Sequence, residues 1–163
     1  MKLGVITDTH ENKNVILKAI SVFNESQVDL VVHAGDMIAP FTGALFSELK
    51  CPFKFHLGNN DGEILFLKTK VEEFGGEFNK YDFTFELDGK SFLVQHEPQN
   101  TEAIAKSGLH DCIIYGHTHD VDVRTVGKTL ILNPGEACTW LRGIANIALL
   151  DTKSMSPELI NLL

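Results

Sequence analysis

Two pairs of residues that could bind a metal ion are spaced as i and i+2, each at the end of an apolar segment. Asp8 and His10 end the segment VITDTH, and His117 and His119 end the segment IIYGHTH. Residues i and i+2 of an extended chain point to the same side, about 7 Å apart. Each pair can therefore direct two ligand side chains at one point, although two exposed loop histidines would have the same spacing.

Three further apolar segments end in residues of the same chemical types. VVHAGD ends at Gly35-Asp36, FHLGNND ends at residues 58–61, and LVQHE contains His96. Together the five segment ends supply carboxylates, four imidazoles and at least one carboxamide. In open sheets with crossover helices, ligands bind in the crevice beyond the carboxyl ends of the strands. The pattern therefore predicts one shared site at that edge.

Each of these residues also has a simpler interpretation. Asp8, Asp36 and Asp61 could cap the helices that follow them, and Asn59 and Asn60 could occupy left-handed turn positions. Five unrelated caps and turns explain the recurrence less well than one metal site does. Carboxylate, imidazole and carboxamide ligands together suit Mn²⁺, Fe²⁺, Co²⁺, Ni²⁺ or Zn²⁺. Seven ligands are too many for one tetrahedral ion, whereas two ions about 3.5–4 Å apart that share a carboxylate use them all.

The elements that must position these residues follow from the hydrophobic periodicity. Strands are predicted for KLGVIT, DLVVHA and FKFHL, and helices for NKNVILKAISVFNES, TGALFSELK and GEILFLKTKVEEF. Strands and helices alternate, which implies parallel strand pairing through right-handed crossovers.

The chain after residue 76 changes to hairpins. DFTFEL and KSFLVQ flank Asp88-Gly89, a strong signal for a two-residue turn, and VDVRTV and TLILN form a second hairpin about Gly127-Lys128. DCIIYG, NIALLD and PELINL are further strands, and TEAIAKSG is a short helix. We therefore predict one domain, residues 1–163, in which two packed sheets lie between helices.

Composition limits the class of protein. The chain has 163 residues, 44% of them apolar and 22% charged, as in ordinary soluble globular domains. It has no run of about 18 apolar residues and no signal peptide, so we expect a cytoplasmic protein that does not enter the membrane. Cys51, Cys112 and Cys138 are odd in number and widely spaced, which predicts reduced thiols. The net charge of −8 argues against stable nucleic-acid binding.

The ordered motifs resemble those of the calcineurin-like metallophosphoesterases. The family pattern D-x-H, G-D, G-N-H-D/E, a lone H and G-H-x-H matches DTH, GD, GNND, the histidine of LVQHE and GHTH of this chain. The resemblance spans nearly the whole chain. The opening MKLGVITDTH and the late LNPGE are similar to the small YfcE-type phosphodiesterases in particular.

This resemblance implies a fold of the α/β (α+β) class, a four-layer αββα sandwich of two mixed sheets flanked by helices. It also implies two divalent transition-metal ions, with Mn²⁺ favoured, and hydrolysis of phosphodiester bonds by a metal-bridging hydroxide. Asp36 would bridge the ions. The implied ligands are Asp8, His10 and His119 at one ion and Asn59, His96 and His117 at the other.

The chain departs from the family pattern at two positions. Asn60 replaces the usual histidine, and an amide can donate a hydrogen bond but cannot act as a general acid. We therefore assign catalytic roles to Asn60 and Asp61, with Asp61 orienting Asn60 or capping the next helix, and expect a preference for good leaving groups. Glu97-Pro98 stands where relatives commonly have glycine. The Glu97 carboxylate should repel a doubly charged monoester more than a diester.

A non-catalytic metal-binding scaffold, like the retromer subunit of this fold, is the alternative function, but the complete ligand set favours an enzyme that acts on a small-molecule phosphodiester. PFTGALF and GEACTWLRG are apolar segments that could form a homo-oligomer contact or a substrate wall. Trp140 is interpreted as a core residue, and Arg142 is left out of the catalytic set. His33 and His56 lie inside apolar strands and are interpreted as hydrogen-bonded interior residues.

Overall fold

The computed structural model describes all 163 residues. Its strands are β1 (Lys2–Ile6), β2 (Leu30–His33), β3 (Phe53–His56), β4 (Glu77–Asn79), β5 (Phe83–Leu87), β6 (Lys90–Val94), β7 (Cys112–Ile114), β8 (Val121–Val126), β9 (Thr129–Pro134), β10 (Asn146–Asp151) and β11 (Ser156–Asn161). Its helices are α1 (Lys13–Glu25), α2 (Pro40–Gly43), α3 (Ile64–Glu73) and α4 (Thr101–Ser107), with a 3₁₀ helix at Ala44–Glu48. Every predicted strand is confirmed, each to within two residues at either end.

The first sheet has the strand order β11-β10-β1-β2-β3-β4. The strands β1 to β3 pair in parallel, as the alternation of strands and helices predicted, β4 continues the parallel pairing, and β10 and β11 add an antiparallel edge. Helix α1 begins after Asn12, whose side chain accepts a hydrogen bond from the Val15 N–H at 3.3 Å. Because β1, β2 and β3 run in one direction, the loops that follow them meet at one edge.

The second sheet has the order β5-β6-β7-β9-β8. The antiparallel pairs β5–β6 and β8–β9 are the two predicted hairpins, with Leu87 opposite Lys90 and Val126 opposite Thr129 across their two-residue turns. The central strands β6, β7 and β9 are parallel. The loops after β6 and β7 therefore also meet at one edge.

Three apolar cores hold four layers together, which confirms the predicted αββα sandwich of two mixed sheets. One core lies between the first sheet and the helices α1 and α3. A second core lies between the two sheets, where Val5 and Val32 of the first sheet join Val94 and Ile114 of the second. A third core packs α4 against the outer face of the second sheet. No helix has the length and apolar character needed to cross a membrane.

Two local predictions differ from the structure. TGALFSELK is not one helix, because α2 begins earlier at Pro40, whose fixed φ suits the first helical turn, and gives way to the 3₁₀ helix at Ala44. Strand β4 was not predicted. It has only three residues and pairs with β3 alone, at the edge of the first sheet, so its sequence carries too little periodicity to reveal it.

Candidate metal centre

The loops that follow β1, β2, β3, β6 and β7 carry the predicted site residues and meet at one rim. Asp8 donates its backbone N–H to the carbonyl oxygen of Gly35 at 3.0 Å, and His10 donates its N–H to that of Asp36 at 3.1 Å. The two sheets are joined here as well, since the His117 N–H donates to Oδ2 of Asp8 at 3.0 Å. The structure therefore brings together strand ends that are distant in the sequence.

One half of the rim, which we call the first half, contains Asp8, His10 and His119. Nε2 of His119 lies 3.5 Å and Nε2 of His10 lies 3.9 Å from Oδ1 of Asp8. His119 donates its Nδ1–H to Oε2 of the buried Glu136 at 2.6 Å. This hydrogen bond sets the tautomer of His119 and leaves its Nε2 free to bind a cation.

The other half, which we call the second half, contains Asn59, His96 and His117. Oδ1 of Asn59 lies 2.9 Å from Nε2 of His96 and 2.9 Å from Nδ1 of His117. His96 Nδ1 lies 2.8 Å from the carbonyl oxygen of Ala34. Because a carbonyl oxygen only accepts, Nδ1 of His96 carries the proton. Three potential metal-binding atoms therefore converge in this half.

Asp36 lies between the two halves. Its Oδ2 is 3.5 Å from Nε2 of His10, and its Oδ1 is 3.4 Å from Nε2 of His96. Burial would raise the pKa of Asp36, but hydrogen bonds from His96 and Asn60 hold this pKa well below its ordinary value. Asp36 is therefore an anion with one oxygen facing each half.

Two observations test whether these residues fit metal ions. Nε2 of His10 is buried and has no hydrogen-bond partner, although the carboxylates of Asp8 and Asp36 lie near it. Nε2 of His96 faces oxygen atoms of Asn59 and Asp36, which it can satisfy only by carrying a second proton or by binding a cation. A buried polar atom without a partner is rare in native proteins. The residues of the rim therefore fit divalent cations.

The backbone of the rim is strained. Five of the seven predicted ligands have left-handed φ angles: Asp8 at 52°, His10 at 37°, Asp36 at 60°, His117 at 68° and His119 at 61°. Asp and His are among the residues that tolerate this region best, but each still adopts a conformation that is sparsely populated. Such strain persists only where the surrounding structure holds it, and it clusters at functional sites.

Glycines of the motifs allow the loops to approach one another. A Cβ at Gly116 would overlap Thr7 Oγ1 and lie 2.8 Å from Oδ2 of Asp8, and a Cβ at Gly58 would overlap the carboxylate of Asp36. Gly116 and Gly58, which precede His117 and Asn59, therefore make room for Asp8 and Asp36 of other motifs.

Asn60 and Asp61 lie at the rim but have different partners. Asn60 donates its backbone N–H to Oδ1 of Asp36 at 2.8 Å and its Nδ2–H to Oδ2 at 2.7 Å. Asp61 accepts backbone hydrogen bonds from residues 36, 37, 38 and 58, and burial raises its pKa to about 6. Asp61 does not cap a helix, because α3 begins only after Glu63, so that part of the prediction is wrong.

Glu136 is a residue of the site that the sequence motifs did not predict. Its carboxylate is fully buried and accepts hydrogen bonds from His119 and from the backbone N–H groups of residues 141–143. Burial alone would raise the pKa of Glu136, but these hydrogen bonds lower it overall. The family-like segment LNPGE was the available signal, but Glu136 is seventeen residues from His119, and only the fold shows that they touch.

Other predictions can be compared directly with the structure. His33 and His56 are buried and hydrogen-bonded, as predicted. The interpretation of Trp140 as a core residue is wrong, because 67% of its surface is exposed. Arg142 forms a two-point ion pair with Asp120 at 2.6 and 3.0 Å, which explains its position without a ligand.

The fold and the rim define a class of protein. The sequence profile of the calcineurin-like phosphoesterase superfamily domain matches residues 1–155, so the chain belongs to this superfamily. Among individual relatives, the chain is 39% identical over 156 residues to phosphodiesterase MJ0936 of Methanocaldococcus jannaschii, covering 94% of each protein.

Solved structures give the same family. A structure described as a novel archaeal phosphodiesterase superposes with a TM-score of 0.94, at 36% identity and over 99% of both chains. The phosphoesterase YfcE of E. coli superposes with a TM-score of 0.68 over 100% of both chains, but at 16% identity this likeness shows the fold alone.

Proposed function

We propose that this protein is a metal-dependent phosphodiesterase with a dinuclear metal centre. The residues that would hold one ion are Asp8, His10 and His119, and those that would hold the other are Asn59, His96 and His117, with Asp36 shared between them. The observation that carries this proposal is the position of Asp36, whose two oxygen atoms face His10 and His96 at 3.5 and 3.4 Å. The similarity to phosphodiesterase MJ0936 supports the reaction class.

Two divalent ions at these residues would supply a bridging hydroxide nucleophile and neutralise the charge that develops on the phosphoryl oxygens. The chain itself contributes orientation. Glu136 holds the ring of His119 through the hydrogen bond at 2.6 Å, and Ala34 holds that of His96 at 2.8 Å. Asn60 fixes both oxygens of Asp36, so the bridging carboxylate needs little reorganisation.

We further propose that Asn60 touches the reacting group and that Asp61 is a positioning residue. Asn60 lines the cleft beside His10 and His119 and can donate a hydrogen bond but no proton to a leaving oxygen. Asp61 ties together the loops after β2 and β3 through its four backbone hydrogen bonds. Because Asn60 cannot protonate the leaving oxygen, diesters with good leaving groups should be the better substrates.

Several finer features belong to the same proposal. The substrate is a small-molecule phosphodiester, the favoured ion is Mn²⁺ with Ni²⁺ among the alternatives, and the whole chain acts as one domain in the cytoplasm. Glu97, exposed beside the second half, disfavours doubly charged monoesters. Stable nucleic-acid binding is not expected at a net charge of −8. A non-catalytic scaffold is not favoured, because it would not need this complete ligand set.

The test is hydrolysis of bis-p-nitrophenyl phosphate and p-nitrophenyl phosphate by metal-stripped protein reloaded with Mn²⁺, Ni²⁺, Co²⁺, Zn²⁺ or Mg²⁺. Metal binding is measured in parallel by calorimetry. Native protein should bind two equivalents and hydrolyse the diester faster. Asp36→Asn should lose turnover, whereas Asp120→Asn, which removes an exposed carboxylate outside the ligand set, should retain it. Two tightly bound ions without turnover on either ester would contradict the proposal and favour the scaffold.

A further inference from the structure

A cleft of about 450 Å³ opens beside the first half of the centre. Its lining residues are His10, Glu11, Ile38, Asn60, His119, Trp140 and Leu141. His10, His119 and Asn60 belong to the centre itself, whereas Ile38, Trp140 and Leu141 form apolar walls. A volume of this size accommodates part of a small ligand. The cleft therefore places an apolar surface next to the proposed site of phosphoryl transfer.

Trp140 is exposed and held in place at the same time. Its Nε1–H donates to the carbonyl oxygen of His10 at 3.3 Å, which ties the indole ring to a residue of the centre. The Leu141 backbone N–H donates to Oε2 of Glu136 at 3.0 Å, so the next residue is anchored as well. Because the ring is already held and 67% of its surface is exposed, a ligand can stack on it with little further loss of side-chain entropy.

Ile38 forms a second, independently fixed wall. Its φ angle is 83°, which is an outlier for a β-branched residue. The Ile38 N–H donates to Oδ1 of Asp61 at 2.6 Å, and its carbonyl oxygen accepts from the Gly62 N–H at 2.9 Å. The structure therefore holds an apolar side chain at the mouth of the centre despite backbone strain.

The surroundings of the second half are different. A cleft of about 280 Å³ beside Asn59 and His96 is lined almost entirely by polar residues, among them Lys80, Asp82 and Glu97. The two ester groups of a diester would therefore meet different surfaces, one apolar and one polar. The carboxylate of Glu11 at the apolar cleft disfavours further negative charge on the group that enters there.

We infer that the apolar cleft binds an uncharged aromatic ester group of the substrate, an aryl ring or a nucleobase, against the face of Trp140. The inference rests on the proposed function, because it requires the phosphoryl group to lie on the centre. Stacking of a base on an aromatic side chain contributes enough to change affinity by about tenfold or more. The cleft would thus select diesters by the ring they carry.

The test uses two singly charged phosphonates that differ only in the group bonded to phosphorus. Monomethyl phenylphosphonate carries the ring on a P–C bond, and monomethyl methylphosphonate lacks it. Inhibition of diester hydrolysis by the native, metal-loaded protein should be about tenfold tighter for the phenyl compound. In Trp140→Ala the ratio of the inhibition constants of the two compounds should fall to about one, while inhibition by the methyl compound stays unchanged. A purely structural role of Trp140 would not produce this difference.

Two control variants accompany Trp140→Ala. Trp140→Phe keeps a ring and should retain most of the preference. Phe41→Ala removes an aromatic side chain of similar exposure, 68%, that lines a different groove, and it should leave the ratio unchanged. Thymidine 5′-methylphosphonate distinguishes the two kinds of ring. If its inhibition depends on Trp140, the cleft is assigned to nucleobases. If it inhibits no better than the methyl compound, the cleft is assigned to aryl groups.

Fluorescence supplies a readout that needs no turnover, since Trp140 is the only tryptophan of the chain. Monomethyl 4-nitrophenylphosphonate should quench the emission saturably, at concentrations matching its inhibition constant, whereas the methyl compound should not. Equal inhibition by the phenyl and methyl compounds, or absence of quenching, would overturn the inference and leave the proposed function intact. If no phosphonate binds and no diester is hydrolysed, both the inference and the proposed function are contradicted.

Discussion

The two halves of the centre are supported in different ways. In the first half, His119 donates to the carboxylate of Glu136 at 2.6 Å. In the second half, the corresponding partner of His96 is the backbone carbonyl oxygen of Ala34 at 2.8 Å. A carboxylate makes the imidazole a stronger ligand than a neutral carbonyl does. We therefore expect the first half to hold its cation more tightly and to be more sensitive to substitution of a side chain.

The largest effect should come from Glu136→Gln, which removes the negative charge beneath His119 but keeps the size of the side chain. Loss of such a supporting partner costs about 10- to 100-fold in metal affinity. Calorimetric titration of the metal-free variant should show one weakened site and one unchanged site. Glu97→Gln, which removes an exposed carboxylate beside the second half, is the control and should leave the tighter site unaltered. Equal weakening of both sites by Glu136→Gln would contradict the asymmetry.

Gly116→Ala should have the next largest effect, because the added Cβ would overlap Thr7 Oγ1 and press on Asp8 of the first half. Overpacking of this kind costs about 1–3 kcal/mol, and urea unfolding of the metal-free protein would measure it. Gly62→Ala is the matched control, since its Cβ would meet nothing closer than 3.7 Å. If both variants unfold at the same urea concentration, close approach of the loops does not set the stability of the first half.

Asn60→His tests the group that lies between the centre and the apolar cleft. A histidine there could protonate a leaving alkoxide, which the amide cannot do. General acid catalysis contributes roughly 100-fold or more when the acid is well placed. The new side chain must also replace the hydrogen bond from Asn60 to Asp36, so we expect turnover of alkyl diesters relative to aryl diesters to rise only about tenfold. The measurement is the ratio of alkyl to aryl diester turnover, and a ratio that does not change would show that no leaving-group proton is limiting.

Part of the centre could be predicted because the motif order and the strand directions are readable from the chain. The parallel strand order placed the loops that carry Asp8, His10, His117 and His119 at one edge. The strand period of two did not place these side chains, because the four residues lie beyond the ends of β1 and β7 with left-handed φ angles, and His117 and His119 face different halves. The motif order then supplied the expected pairing of ligands with ions. These features depend on residues close in the sequence or on the direction of strands, and both are readable from the chain.

What could not be predicted depends on contacts between distant loops. Glu136 lies beneath His119 only because β9 runs beside β7, and no local pattern marks its burial. Trp140 was assigned to the core because tryptophan is usually well buried, whereas the loop after β9 turns it towards the centre. Asp61 precedes a helix and looks like a cap, yet its carboxylate accepts the N–H groups of two loops.

The smallest effect concerns His33, which joins the loops after β1 and β2 beneath the first half. Its Nδ1 accepts from the Gly35 N–H at 3.2 Å, so Nε2 carries the proton and donates to Thr9 Oγ1 at 3.1 Å. Burial lowers the pKa of His33 to about 3 from the ordinary 6.5. The unfolded chain therefore binds a proton that the folded chain excludes, and the free energy of unfolding should fall as the pH drops below about 6.5.

Between pH 7 and pH 5.5 this loss should amount to about 1 kcal/mol, measured by urea unfolding of the metal-free protein. His33→Gln has no titrating group at this position, so its stability should decline less over the same interval. The difference between native protein and variant isolates His33 from the other histidines, because both proteins contain those. A difference that is constant from pH 7 to pH 5.5 would mean that the loops beneath the first half rearrange to accept the charged ring, so that burial of His33 does not set the pH dependence of stability.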